Sequence, residues 1–180
     1  YNIDKFIKCN KAEQIAFYNK WILSKKKEKL KTQEIFIDSI SPKHDFLFFW
    51  GHQSYNSEVT KSCFSQWWTC SFNHEGIEYR SAEQWMMAEK ARIFSDNDIL
   101  EKILKSNDPK TIKELGRQIS FFDEDVWNQR KYDIVYEGNL LKFSQDESLK
   151  SFILGTENKI LVEASPYDKI WGIGMKQDDV

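Results

Sequence analysis

Residues that make tight turns are scarce here: the 180-residue chain has only seven Gly and three Pro. That scarcity excludes a sandwich of many strands joined by short turns. Cysteine is equally sparse, with Cys9, Cys63 and Cys70 an odd number at no framework spacing. Such a set fits a reducing cytoplasm rather than a disulfide-stapled secreted domain. Cys63, Cys70 and His74 do not follow a zinc spacing and have no fourth ligand in the pattern, so no metal and no cofactor is expected. No apolar run approaches the length of a membrane span and no secretory leader is recognised, so no membrane partner is expected. Neither a P-loop nor a dinucleotide fingerprint occurs.

Aromatic residues are abundant, with seven Trp, seven Tyr and thirteen Phe. This content excludes a disordered chain and supplies one full core. The net charge of −2 is unevenly spread. Residues 1–44 carry ten Lys against five acidic residues, and the remainder is acidic. The main body is therefore not a polycation built to embrace nucleic acid. Residues 11–31 read as a helix whose run Lys25-Lys26-Lys27-Glu28-Lys29 is either a solvated basic face or a nucleic-acid contact. Pro42 marks a boundary. The expected organisation is an N-terminal basic helical extension over 1–43 and a main domain over 44–180.

Within the main domain, Phe46 to Trp50 reads as a buried strand ending at Gly51. Phe64 to Phe72 is aromatic-rich and β-prone. Asn73-His74-Glu75-Gly76 is a turn, and Ile77 to Arg80 alternates as the second strand of a hairpin. Helices follow. One runs from Ser81 to about Phe94, and one is capped by Asp96 or Asp98. A third starts at Asp108-Pro109, a fourth runs over about 126–143, and a short fifth ends at Gly155. Ile160 to Glu163 is a last strand. The fold class is α+β, mainly α-helical, with a small β-sheet hairpin packed by several helices.

Two stretches carry candidate chemistry. Ser81 and Gln84 have capping-box spacing, which puts Glu83 in a first helical turn. There the positive end of the helix dipole favours its carboxylate form. Lys90, seven residues on, falls on roughly the same face, with Met86 and Met87 between them. An acid and an amine at two ends of an apolar floor is an active-site layout. The same spacing also suits a buried helix with two solvated charges at its rim. The second stretch, Ala164 to Gly174, places Asp168, Trp171, Gly172 and Gly174 in a loop after a strand. Two glycines allow close backbone approach to a ligand and an indole can stack on a ring. Alternatively, Trp171 plugs the core.

Several separated motifs now converge. Ser81-Ala82-Glu83-Gln84-Trp85 with Lys90, Leu115-Gly116-Arg117, Trp127 with Arg130, Lys142-Phe143, Leu161-Val162-Glu163, and Asp168 to Gly174 follow one another in order. Over roughly residues 45–175 this succession resembles the YbiA-like or NADAR (NAD- and ADP-ribose-associated) proteins. The segment Trp67 to Phe72 replaces a Leu-Ser-Asn-Phe-like segment of that family, and Met87 stands where many relatives have Gln. The resemblance implies a YbiA-like fold and an N-glycosidase that cleaves a ribosyl C–N bond. The implied substrates are ADP-ribosylated guanine in nucleic acid or, alternatively, phosphoribosylamino-pyrimidine intermediates of riboflavin synthesis. A non-catalytic ADP-ribose or nucleotide reader with the same pocket is a further alternative.

Glu83, Trp127 and Asp168 match functionally important family positions, and Lys90 matches a lysine with a possible covalent role. Two carboxylates can divide the acid and base work of glycoside cleavage. Glu83 is then expected as base or electrostatic stabiliser, with Asp168 as partner acid or holder of the ribose hydroxyls. Lys90 either forms a Schiff base with an opened sugar or holds a phosphate. Arg117 and Arg130 are the phosphate-binding candidates, since guanidinium forks match phosphate geometry. Trp171 is the candidate stacking platform, and Gly172 gives the close approach.

Overall fold

The computed structural model describes residues 45–52 and 58–179. The basic run of the expected extension and Cys9 lie outside these residues. In chain order the elements are β1 (Phe46–Phe49), β2 (Phe72–His74), β3 (Ile77–Tyr79), α1 (Ala82–Ile93), α2 (Asn97–Lys105), α3 (Pro109–Arg117), α4 (Glu124–Gln145), α5 (Glu147–Gly155) and β4 (Ile160–Glu163). Short 3-10 turns occupy Lys61–Phe64 and Gln177–Asp179. The expected α+β, mainly helical class is what forms.

Helix starts follow local chemistry. Asp96, Asp108, Asp123 and Asp146 each place a carboxylate on a free amide of the first turn, at Ile99, Thr111, Val126 and both Ser148 and Leu149 respectively. Such a cap contributes about 1 kcal/mol. Ser81 caps α1 by accepting from Gln84 N–H at 3.1 Å. The reciprocal half of the expected capping box is displaced by one residue. Gln84 Oε1 accepts from Arg80 N–H, not Ser81, and its Nε2 donates to the carbonyls of Ile103 and Ser106. One buried amide thus ties α1 to the end of α2.

The strands form two separate pairs. β2 and β3 make the expected antiparallel hairpin, with Phe72 opposite Tyr79. Its turn residues Glu75 and Gly76 both have positive φ, the geometry that matches hairpin twist. β1 pairs in parallel with β4, so that Phe46 meets Ile160 and Phe49 meets Glu163. β1 is less buried than expected: Phe46 is exposed and only Phe49 is fully covered. The β-prone run from Phe64 mostly does not form a strand either. Lys142, fully buried on α4, donates through Nζ to the carbonyls of Cys63 at 2.5 Å and Ser65 at 2.9 Å. Those carbonyls are therefore turned into the core and lost to any sheet ladder. Burial pulls the Lys142 amine down to about 8.

α1 is the centre of the molecule, and all eight residues from Ala82 to Ala88 and Ala91 that contribute to its core are buried. α2, α3 and α4 pack around it. Two glycines let neighbouring helices come close. A Cβ on Gly138 of α4 would lie 2.3 Å from Trp85 Cδ1, and one on Gly116 of α3 would lie 2.0 Å from Met87 Sδ. Trp85 has little room to yield, because its Nε1 donates to Ile134 O at 2.8 Å. Met87 ends in a flexible thioether. Gly138→Ala is therefore expected to destabilise by about 1–3 kcal/mol despite alanine's better helix propensity. Gly116→Ala should remain within about 1 kcal/mol of the parent, since the methionine can change rotamer. Chemical denaturation of the two variants measures the difference.

Candidate active site

A cavity of about 490 Å³ opens where α1, α3, the start of α4, the end of β4 and the loops after β1 and at 65–67 meet. Its walls include six of the residues expected from sequence: Glu83, Lys90, Arg117, Trp127, Asp168 and Trp171. Helical spacing on α1 puts Glu83, Met86, Met87 and Lys90 on one face, and all four line the cavity.

Glu83 is 3 % exposed, and its backbone N–H is held by Gln66 O at 2.9 Å. Its electrostatics overturn the expectation of a favoured carboxylate. Burial pushes the carboxyl up to about 7, against the lowering effects of Lys113 and a hydrogen bond from Trp67, while Asp168 and Glu163 raise it further. Desolvation outweighs the helix terminus because the whole first turn is enclosed. Near neutrality Glu83 can therefore hold a proton as well as release one.

Lys90 is half-buried, and its Nζ donates to Gly116 O at 2.7 Å. The ammonium lies 4.2 Å from the ring centre of Phe122 and 5.7 Å from that of Trp127. These rings join Met86 and Met87 in making its setting apolar. Burial lowers the amine's pKa, with Glu83 opposing the shift.

Asp168 is used in part by its own loop. Its Oδ1 accepts from the amides of Ile170 at 2.8 Å and Trp171 at 2.9 Å. This turn sets Trp171, whose ring meets Tyr132 edge-on at 5.2 Å. Gly172 is not a wall residue. A Cβ there would lie 3.0 Å from both Asp168 O and Glu163 O. The close approach expected of this glycine is to the chain's own backbone rather than to a ligand. Arg130 is exposed on α4 and is absent from the cavity wall.

The cavity also contains residues that sequence reading passed over. Lys113 lies one helical turn before Arg117 on α3, a periodicity that could have paired them. Its Nζ sits 5.4 Å from the ring centre of Trp67. Trp67 in turn packs against His52 at 5.3 Å, so the first residue of the segment that departs from the family pattern forms part of the wall. Glu163, at the end of β4, is half-buried with its pKa raised by burial and by Asp168 and lowered by Lys113. Gln66 Oε1 is the buried side-chain oxygen or nitrogen that finds no partner among the described residues. A ligand N–H or O–H would satisfy it. Trp50 and Tyr167, with ring centres 6.3 Å apart, stand at the exposed mouth.

Cys63 and Cys70 are thiols whose pKa burial raises to about 12 and about 11. That shift makes them poor nucleophiles. No described helix is long and apolar enough to cross a membrane.

A family profile described as NADAR domain matches residues 48–180. A relative named N-glycosidase R617, from Acanthamoeba polyphaga mimivirus, is 44 % identical over 135 residues, covering 72 % of this chain and 78 % of its own. Protein irg-1 of Caenorhabditis elegans is 42 % identical over 105 residues, 57 % of this chain, but the match spans only 50 % of that protein. The solution structure of Escherichia coli YbiA superposes with a TM-score of 0.62 at 22 % identity, covering 74 % of this chain and 75 % of that one, and so shares the fold. With its motifs, fold and sequence in agreement, the chain belongs to the NADAR domain family.

Proposed function

We propose that this chain is an N-glycosidase that hydrolyses the ribosyl C–N bond of ADP-ribosylated guanine in nucleic acid. The observation that carries the reading is Glu83. It is an almost fully enclosed carboxyl poised near neutral pH in a cavity that also presents an amine and several aromatic faces. Breaking a ribosyl C–N bond leaves electrons on the base and positive charge on the sugar. A proton donor assists the first and a carboxylate stabilises the second. Glu83 is suited to donate the proton to the departing base. Asp168 holds the ribose hydroxyls with the oxygen its loop does not use.

A substrate with two bases and a pyrophosphate needs more than one stacking surface and several cations. The cavity supplies Trp67, Trp127 and Trp171 on different elements, together with Lys113 and Arg117 on α3. A single-ringed phosphoribosyl intermediate would use fewer of these faces. The relative named N-glycosidase supports the reaction type.

Lys90 supports a second route within the same reaction. Burial lowers its pKa, which eases release of the proton an amine must lose before it can form an imine with C1 of an opened ribose, although the Phe122 face favours the ammonium. Borohydride added during turnover distinguishes the routes. A stable mass adduct that disappears in Lys90→Ala establishes the imine, and the absence of an adduct leaves direct attack by water.

The direct test incubates the protein with an ADP-ribosylated guanine oligonucleotide and, separately, a phosphoribosylamino-pyrimidine, following released sugar by mass spectrometry. Turnover of the oligonucleotide is expected, with Glu83→Gln lowering kcat by about 10²–10⁴-fold. Consumption of the pyrimidine alone would replace the guanine assignment. Tight ADP-ribose binding with no turnover would make the chain a reader.

The pH dependence follows from the groups facing Glu83: Lys113, Trp67, Asp168, Glu163 and Lys90. An acid catalyst works in its protonated form, so kcat/KM should fall as pH rises through about 7. Lys113 lowers the Glu83 pKa. Lys113→Met should therefore move this alkaline limb to higher pH, read from a kcat/KM profile between pH 5 and 9 (about two units either side of neutrality).

A further inference from the structure

One cavity carboxylate has no task in the reading above. Glu163 closes β4, where its carbonyl accepts Ile173 N–H at 3.0 Å, and its half-buried side chain lines the cavity. Unlike the other two acids it receives no donor among the described residues. Glu83 receives Trp67, and Asp168 Oδ1 receives two loop amides. Glu163 is influenced by the charges of Asp168 and Lys113, with no hydrogen bond to its side chain among the described residues. Lys113 acts on both Glu83 and Glu163, so the two carboxyls share one cation.

Hydrolysis of a C–N glycoside needs two proton transfers in opposite senses. The leaving nitrogen gains a proton and the attacking water loses one. The sequence offers Asp168 as partner to Glu83, but its Oδ1 is held by the Trp171 loop and its other oxygen is assigned above to the ribose hydroxyls. We propose that Glu163 is the second catalytic carboxylate, taking the proton from the water that attacks C1. In this step the water oxygen forms the C1–O bond and one of its protons passes to Glu163. The electrons of the broken C1–N bond leave with the base, which takes the proton of Glu83. Solvent then removes the proton from Glu163 and restores that of Glu83, so the sum is substrate plus water. The proposal rests on Glu83 being the acid, and it applies to either ribosylated base.

The test uses the full chain with both substrates and the variants Glu163→Gln, Glu163→Ala and Asp168→Asn. Glu163→Gln should reduce kcat by about 10²-fold or more while ADP-ribose still binds by calorimetry. Sodium azide needs no base to attack C1. It should therefore restore sugar release in Glu163→Ala, with ribosyl azide seen by mass spectrometry, and should not accelerate Asp168→Asn. Retention of more than about a tenth of kcat in Glu163→Gln would overturn the proposal. So would azide rescue of Asp168→Asn but not of Glu163→Ala, or loss of ADP-ribose binding together with turnover, which would make Glu163 a binding residue. If only the pyrimidine is consumed, the guanine assignment fails and the Glu163 comparison is read on that substrate. If the unaltered protein consumes neither, both are overturned.

Discussion

The structure depends on enclosing α1 from its first turn onward. Most soluble helices keep one face in water, but here the contacts come from α2, α3 and α4. An enclosed N-terminus normally leaves free amides without partners. Ser81 Oγ and Gln66 O answer for two of them, at Gln84 and Glu83. Gln84 then satisfies the entering strand and the end of α2. The same enclosure removes water from Glu83 and raises its carboxyl to about 7. Packing and chemistry here are one demand on a few residues.

A second buried charge serves that first turn from a distance. Lys142 holds the carbonyls of Cys63 and Ser65, on either side of Phe64. The chain leaving this clamp supplies Gln66 O to the Glu83 amide and Trp67 to the Glu83 side chain. A buried ammonium is expensive to desolvate unless its donors are met. Here two of its three donors are met by fixed backbone carbonyls, and the cavity wall inherits that rigidity.

Much of this was legible in the sequence because it obeys local rules. The Asp108-Pro109 start and the hairpin turn each declare themselves within a few residues, and Asp96 is one of two neighbouring caps the sequence offers for α2. Glu83 and Lys90 share a face through helical spacing alone. What could not be read depends on neighbours distant in the chain. The dipole argument predicted an ionised Glu83, but burial by other helices decides its state. Lys113 and Glu163 look like ordinary surface charges until α3 and β4 are brought together. The aromatic run after Phe64 has strand propensity, and a lysine 77 residues away from Ser65 overrides it. Arg130 is three residues on from Trp127, a spacing that makes the two neighbours on α4, yet it is exposed and outside the cavity wall.

The parallel pairing of β1 with β4 joins residue 46 to residue 160, with every helix of the cavity between them. A contact so distant in sequence carries a large closure entropy and forms slowly. During synthesis β1 leaves the ribosome long before its partner exists. The loop bearing Asp168 and Trp171 hangs directly from β4, so the last wall of the cavity is also the last to be made. The helices that enclose α1 all precede that segment in the chain, whereas one side of the cavity belongs to it. The cavity is thereby closed only once β4 and the loop after it have joined the fold.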